Sequence, residues 1–179
     1  MYLGYSMGGR IALHVALATP ELVRGLVLVG ATAGLRTAKE RSDRLVADAS
    51  LAERLRHDGT EAFLRWWLEL PLFGGLSPAA ACFDQRLVNR PEAMAASLLA
   101  TGTGAQNNLW DRLGEINCPV LLLTGSNDDK FTTLAHQMGH RFGGPVDVVS
   151  VRSQAHSVHL QDPAGSAGAL TQWMAKRFP

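Results

Sequence analysis

Gly4-Tyr5-Ser6-Met7-Gly8 fits the pattern G-x-S-x-G, in which a strand turns sharply into a helix with a serine at the turn. Glycines two positions before and after the serine let the backbone approach itself, leaving Ser6 strained with its hydroxyl exposed. A helix beginning at Met7 would aim its N–H groups and positive dipole end at charge developing near that hydroxyl. The pattern alone also fits a Gly-rich turn whose serine merely caps a helix. The residues beyond Gly8 favour the nucleophile. Ile11, Leu13, Val15 and Leu17 sit among the small residues Ala12, Ala16 and Ala18, as in a helix packed closely on a sheet. Thr19-Pro20 ends that helix, and Gly25 to Gly30 reads as a short buried strand.

A strand–turn–helix–strand opening implies an α/β protein, and 179 residues give it about one domain with a sizeable core. Hydrophobic residues make up 46% and charged residues 18%, an ordinary globular balance. A net charge of +1 gives no electrostatic footprint for nucleic acid or an acidic membrane surface. No apolar run is long enough to span a bilayer and no signal peptide is visible, so the cytoplasm is the expected setting. Cys82 and Cys118 lack metal-ligand spacing and read as reduced thiols. Only Tyr2 and Leu3 stand before the turn as strand, so the chain reads as truncated at its N-terminus. The strand at 25–30 is then expected to expose an apolar parallel edge.

Residues 37–57 read as a charged helix, Gly59 breaks it, and Glu61 to Leu70 forms a second helix stopped by Pro71. Pro78 to Asn89 and Pro91 to Ala100 read as two more helices, followed by a Gly- and Asn-rich loop and a short helix at 110–113. Then the pattern changes. Pro119 to Thr124 is a buried strand, Thr132 to Phe142 a helix, Val146 to Val151 a strand, and Ala164 to Phe178 a closing helix. Three segments result: 1–34 as core, 35–115 as an all-helical insertion of the kind that forms a lid, and 116–179 as the rest of the core.

A serine hydroxyl needs a histidine to take its proton and a carboxylate to orient that histidine. In parallel sheets such groups lie on loops at the carboxyl ends of strands. Asp128 lies four residues after the strand 119–124, and His156 five after the strand 146–151. Asp129 competes with Asp128, and His159 with His156. The order Ser–Asp–His is the one associated with G-x-S-x-G proteins. His14, His57, His136 and His140 read as packing or surface residues, and no pair of them suggests a metal site.

Gly-Tyr-Ser-Met-Gly-Gly-Arg10, Gly-Ser-Asn-Asp-Asp-Lys-Phe131 and Ala-His-Ser-Val-His-Leu160 together resemble the α/β-hydrolase superfamily. More narrowly, Ala33-Gly-Leu35, Phe63-Leu-Arg-Trp-Trp67, Pro71-Leu-Phe73, Gln85-Arg86 and Leu109-Trp-Asp-Arg-Leu113 resemble the lyases that make the succinyl-hydroxycyclohexadiene carboxylate intermediate of menaquinone biosynthesis. The resemblance implies elimination of pyruvate from a small polycarboxylate ring, with no cofactor or metal. Ser6, activated by His156 and Asp128, would be the base. The backbone N–H of Met7 would meet the developing oxyanion. Arg10, Arg44 and Arg86 would bind substrate carboxylates, with Arg41 a turn from Arg44 as its rival, and Tyr5 and Trp67 would line the pocket. Two departures stand out. Ser153-Gln-Ala-His156 lacks the family's glycines before the histidine, and the His-Gly loop that supplies a second oxyanion donor is absent. General ester or carbon–carbon hydrolysis, and an inactive fragment, are the competing expectations.

Overall fold

A computed structural model describes residues 1–152 and 154–179. In chain order the elements are β1 (Tyr2–Tyr5), α1 (Met7–Ala18), β2 (Leu26–Val29), α2 (Ala38–Leu68), α3 (Pro78–Ala81), α4 (Phe83–Arg86) and α5 (Pro91–Thr101). They continue with β3 (Val120–Gly125), α6 (Asp129–Gly139), β4 (Val146–Val151), α7 (Val158–Gln161) and α8 (Pro163–Arg177).

The chain divides into two compact units, residues 1–33 with 109–179, and residues 34–108. In the first, four parallel strands pair in the order β1-β2-β3-β4. β2 and β3 are buried throughout, and apolar from Leu26 to Val29 and from Val120 to Leu123, as strands covered on both faces must be. Leu26, Leu28, Val120 and Leu122 face α1 and α6 through Leu13, Ala16 and Met138. Val27, Val29, Leu121 and Leu123 point the other way, toward Val158 and Trp173. The period-two alternation of side chains thus builds a three-layer core.

Two expectations about the first unit change. The strand at 25–30 is interior, not an edge: β1 pairs with it from Tyr2↔Leu26 to Tyr5↔Val29. The outer strand is β1 itself, where Leu3 is 59% exposed. The boundary expected at 115 falls after Asn108, because Leu109, Trp110, Leu113 and Ile116 pack into the sheet's core.

The second unit is helical and closes around Ala52, Leu55, Phe63 and Ala95, with α2 packed along α5. Thr37 and Glu40 form a reciprocal capping box at the start of α2. Gly59, at φ 77°, breaks that helix where the sequence places a break. The single helix expected over 78–89 is two short ones. Cys82 at φ 50° interrupts it with left-handed backbone, a conformation that composition does not announce.

Candidate active site

Ser6 stands between the last residue of β1 and the first of α1 and has φ 47° and ψ −108°, a strained conformation for a residue with a side chain. Its N–H is tied to the carbonyl of Val29 at 2.8 Å, so the turn is fixed to the end of β2. Close approach explains the glycines. A Cβ on Gly4 would lie 2.3 Å from the backbone carbon of Gly8, and one on Gly9 would lie 2.6 Å from the Ala31 side chain. A Cβ on Gly8 would meet nothing within 4 Å. The steric demand after the serine therefore falls on Gly9 rather than on Gly8.

Asp128 follows β3 and caps α6, its Oδ1 accepting the Phe131 N–H at 3.2 Å. His156 lies between β4 and α7. The Asp and His loops are laced together: Ser126 N–H donates to Val151, and Asn127 N–H to Gln154. A Cβ on Gly125 would lie 2.2 Å from the Gln154 carbonyl oxygen, so only glycine admits this approach. Ser153, in the segment where the sequence lacks the expected glycines, lies outside the described residues.

The three groups meet. His156 Nδ1 is 2.8 Å from Asp128 Oδ2, and His156 Nε2 is 3.3 Å from Ser6 Oγ. His156 is 3% exposed and the Asp128 side chain 10%, so water competes little for either contact. With Nδ1–H donated to the carboxylate, Nε2 is the acceptor that faces the serine hydroxyl. Asp129 is exposed at the start of α6 and makes no such contact. His159 instead packs its ring 4.4 Å from Tyr5. Among the described residues no three His, Cys, Asp or Glu side chains gather as a metal site.

Residues that sequence reasoning passed over hold this arrangement. Phe131 packs its ring 4.3 Å from His156. Ser157, fully buried, exchanges a 2.9 Å hydrogen bond with Tyr5 Oη and so links the serine turn to the histidine loop. Gly30, at φ 54°, leaves room for the imidazole: a Cβ there would lie 2.9 Å from His156 Cε1. The one signal in the sequence for Ser157 is that it adjoins His156; its partner Tyr5 lies 152 positions away.

The remaining candidates belong some to one unit and some to the other. Arg10 is half-buried on the first turn of α1. In the helical unit, Arg44 Nε donates to Asp48 Oδ1 at 2.7 Å, and Arg86 Nε donates to the Ala81 carbonyl at 2.7 Å. Arg41 donates to the carbonyls of Leu35 and Arg36. Trp67 stacks on Phe63, with ring centroids 5.6 Å apart.

A serine on a strand–helix turn, joined to an aspartate and a histidine that follow β3 and β4 of the same parallel sheet, defines an α/β protein equipped for base or nucleophile chemistry. The chain belongs to the alpha/beta hydrolase family, whose model matches residues 2–169. It is 39% identical over 166 residues to a putative 2-succinyl-6-hydroxy-2,4-cyclohexadiene-1-carboxylate synthase of Bacillus subtilis, covering 90% of this chain and 60% of that protein. It is 32% identical over 172 residues to the protein of that name from Salmonella newport, covering 95% of this chain and 66% of the relative. The solved structure of MenH from S. aureus matches with a TM-score of 0.93 at 30% identity, over 99% of this chain and 68% of that one. The chain thus spans about three-fifths to two-thirds of the length of these relatives.

Proposed function

We propose that this protein is a lyase that eliminates pyruvate from a succinyl-enolpyruvyl-hydroxycyclohexene carboxylate, leaving 2-succinyl-6-hydroxy-2,4-cyclohexadiene-1-carboxylate. The observation that carries the chemistry is the contact chain Ser6–His156–Asp128, with Ser6 Oγ 3.3 Å from a histidine that a largely shielded carboxylate orients. The names of the relatives narrow the substrate.

In this reading Ser6 Oγ removes a ring proton as its own proton passes to His156 Nε2. The C–H electron pair becomes the new ring double bond, and the C–O bond to the enolpyruvyl group breaks. The departing enolpyruvate takes a proton and becomes pyruvate. Asp128 keeps Nδ1 protonated and stabilises the imidazolium that forms. The enolate-like charge that develops as the proton leaves is met by the Met7 N–H at the start of α1, where the helix dipole adds to the hydrogen bond. Arg10, Arg44 and Arg86 hold substrate carboxylates, and Tyr5 and Trp67 contact the ring; these assignments rest on the family resemblance. The partner is a small polycarboxylate and the setting the cytoplasm. A net charge of +1 offers nucleic acid no general attraction.

The test is pyruvate release by the purified protein, with Ser6→Ala as control. Serine-dependent release supports the lyase reading. Turnover of nitrophenyl esters without pyruvate release would replace it with a general hydrolase, which the same three residues can serve.

A further inference from the structure

Among the described residues, Asp48 is the only carboxylate that is fully buried. It lies one turn after Arg44 on α2, a spacing that ordinarily makes a surface ion pair. The other such pairs on that helix are surface pairs: Asp43 beside Lys39, Asp58 beside Arg54 and Glu61 beside Arg65 have side chains 64, 27 and 61% exposed. The Asp48 side chain is 2% exposed, while that of Arg44 is 38% exposed. Space for the carboxylate comes from Gly102 at the end of α5, where a Cβ would lie 2.3 Å from Asp48 Oδ2.

Stability does not explain this burial. Oδ1 accepts from Arg44 Nε at 2.7 Å, but Oδ2 is buried with no hydrogen-bond partner among the described residues. A buried carboxylate satisfied on one oxygen costs more in desolvation than a partly exposed partner returns, and an apolar side chain of similar size would do as well or better. What the pair does provide is direction. With Nε engaged, the planar guanidinium can no longer swing about its last bonds. Nη1 and Nη2, which make no hydrogen bond to the described residues, are then presented as an oriented two-donor edge. Such an edge matches the two oxygens of a carboxylate.

We infer that Asp48 is a positioning residue that fixes the guanidinium of Arg44 for bidentate capture of a substrate carboxylate. The inference rests on the reading of Arg44 as a substrate-binding residue.

Two measurements on the full chain test it. The first is a double-mutant cycle on pyruvate release with Asp48→Asn, Arg44→Ala and the pair. Expected is a rise in KM of about tenfold for Asp48→Asn with kcat little changed, and no further rise when Asp48→Asn is added to Arg44→Ala. The same proportional loss with and without Arg44, or an unchanged KM, overturns the inference. The second is the Arg44 Nε–H resonance in nitrogen-15 NMR, which requires no turnover. It should be ordered and slow to exchange in the native protein and lose both properties in Asp48→Asn. Equal mobility in the two proteins overturns the inference. If the native protein releases no pyruvate, the reaction assignment falls, and the resonance alone decides whether Asp48 orders Arg44.

Discussion

Ser6 Oγ and His156 Nε2, separated by 150 positions in sequence, lie 3.3 Å apart at the carboxyl ends of β1 and β4. The contact is assembled by the sheet: the Ser6 N–H is held by Val29, and Gly30 gives the imidazole its space. In the proposed reaction, replacing Ser6 by Ala removes the proton acceptor while leaving these supports intact. Pyruvate release is expected to fall by at least about a thousandfold, with no loss of thermal stability. A rate within tenfold of the native protein would remove Ser6 from the mechanism.

Asp128 accepts from both His156 and the Phe131 N–H, so Asp128→Asn keeps the shape and removes the charge. The amide can also donate to Nδ1, which favours the tautomer with the proton on Nε2, wrong for a base. A fall in kcat of about a hundredfold to ten-thousandfold is expected, with KM little altered. Asp129→Asn, on an exposed neighbour, is expected to change kcat less than twofold. Reversed effects of the two variants would exchange their roles.

Much of this arrangement is legible in the residue order, because the chemistry uses local signals. The serine turn needs glycines at fixed offsets, and the Asp and His loops each follow a short apolar run that reads as a strand. What is not legible depends on partners far away in sequence. β1 is four residues long and too short for periodicity to declare, so its pairing with β2 came only from the fold. Trp110 and Leu113 look like the tail of the helical segment, yet bury against β2 and β3. Asp48 has the spacing of a surface ion pair, and its burial depends on Gly102, 54 positions later.

Three glycines around the serine turn separate steric need from pattern. At Gly8 a Cβ meets open space within the first turn of a helix, so Gly8→Ala is expected to be neutral or to stabilise by about 0.5 kcal/mol. At Gly9 a Cβ would press on the Ala31 side chain and on the Gly4 carbonyl oxygen 2.8 Å away, and Gly9→Ala is expected to cost about 2 kcal/mol. Gly30→Ala combines left-handed backbone with a clash against His156, so it should lower kcat as well as stability. Urea melts of the three variants check the order. Equal losses at Gly8 and Gly9 would show that the pattern, not the packing, sets the requirement.

Asp147 on β4 ties the last turn of α8 to the sheet: Lys176 Nζ lies 2.6 Å from its Oδ1 and Arg177 Nε 2.7 Å from its Oδ2. Partial burial pushes the carboxyl up, but the hydrogen bonds from Lys176 and Arg177, with their charge, outweigh that and hold it below the usual carboxylate range. A folded-state value below the unfolded one, about 3.9, means the acid form is favoured by unfolding. The contribution is therefore complete above that unfolded value and is lost as pH falls through the lower folded one. Lys176 is largely exposed, so screening keeps the effect modest: Asp147→Asn is expected to cost about 1 kcal/mol at pH 7. Thermal melts of the two proteins should differ at pH 7, converge as the pH drops below about 4, and coincide once the native carboxyl is protonated. A gap that stays constant down to the acid transition would mean that Asp147 acts through packing and not through its charge.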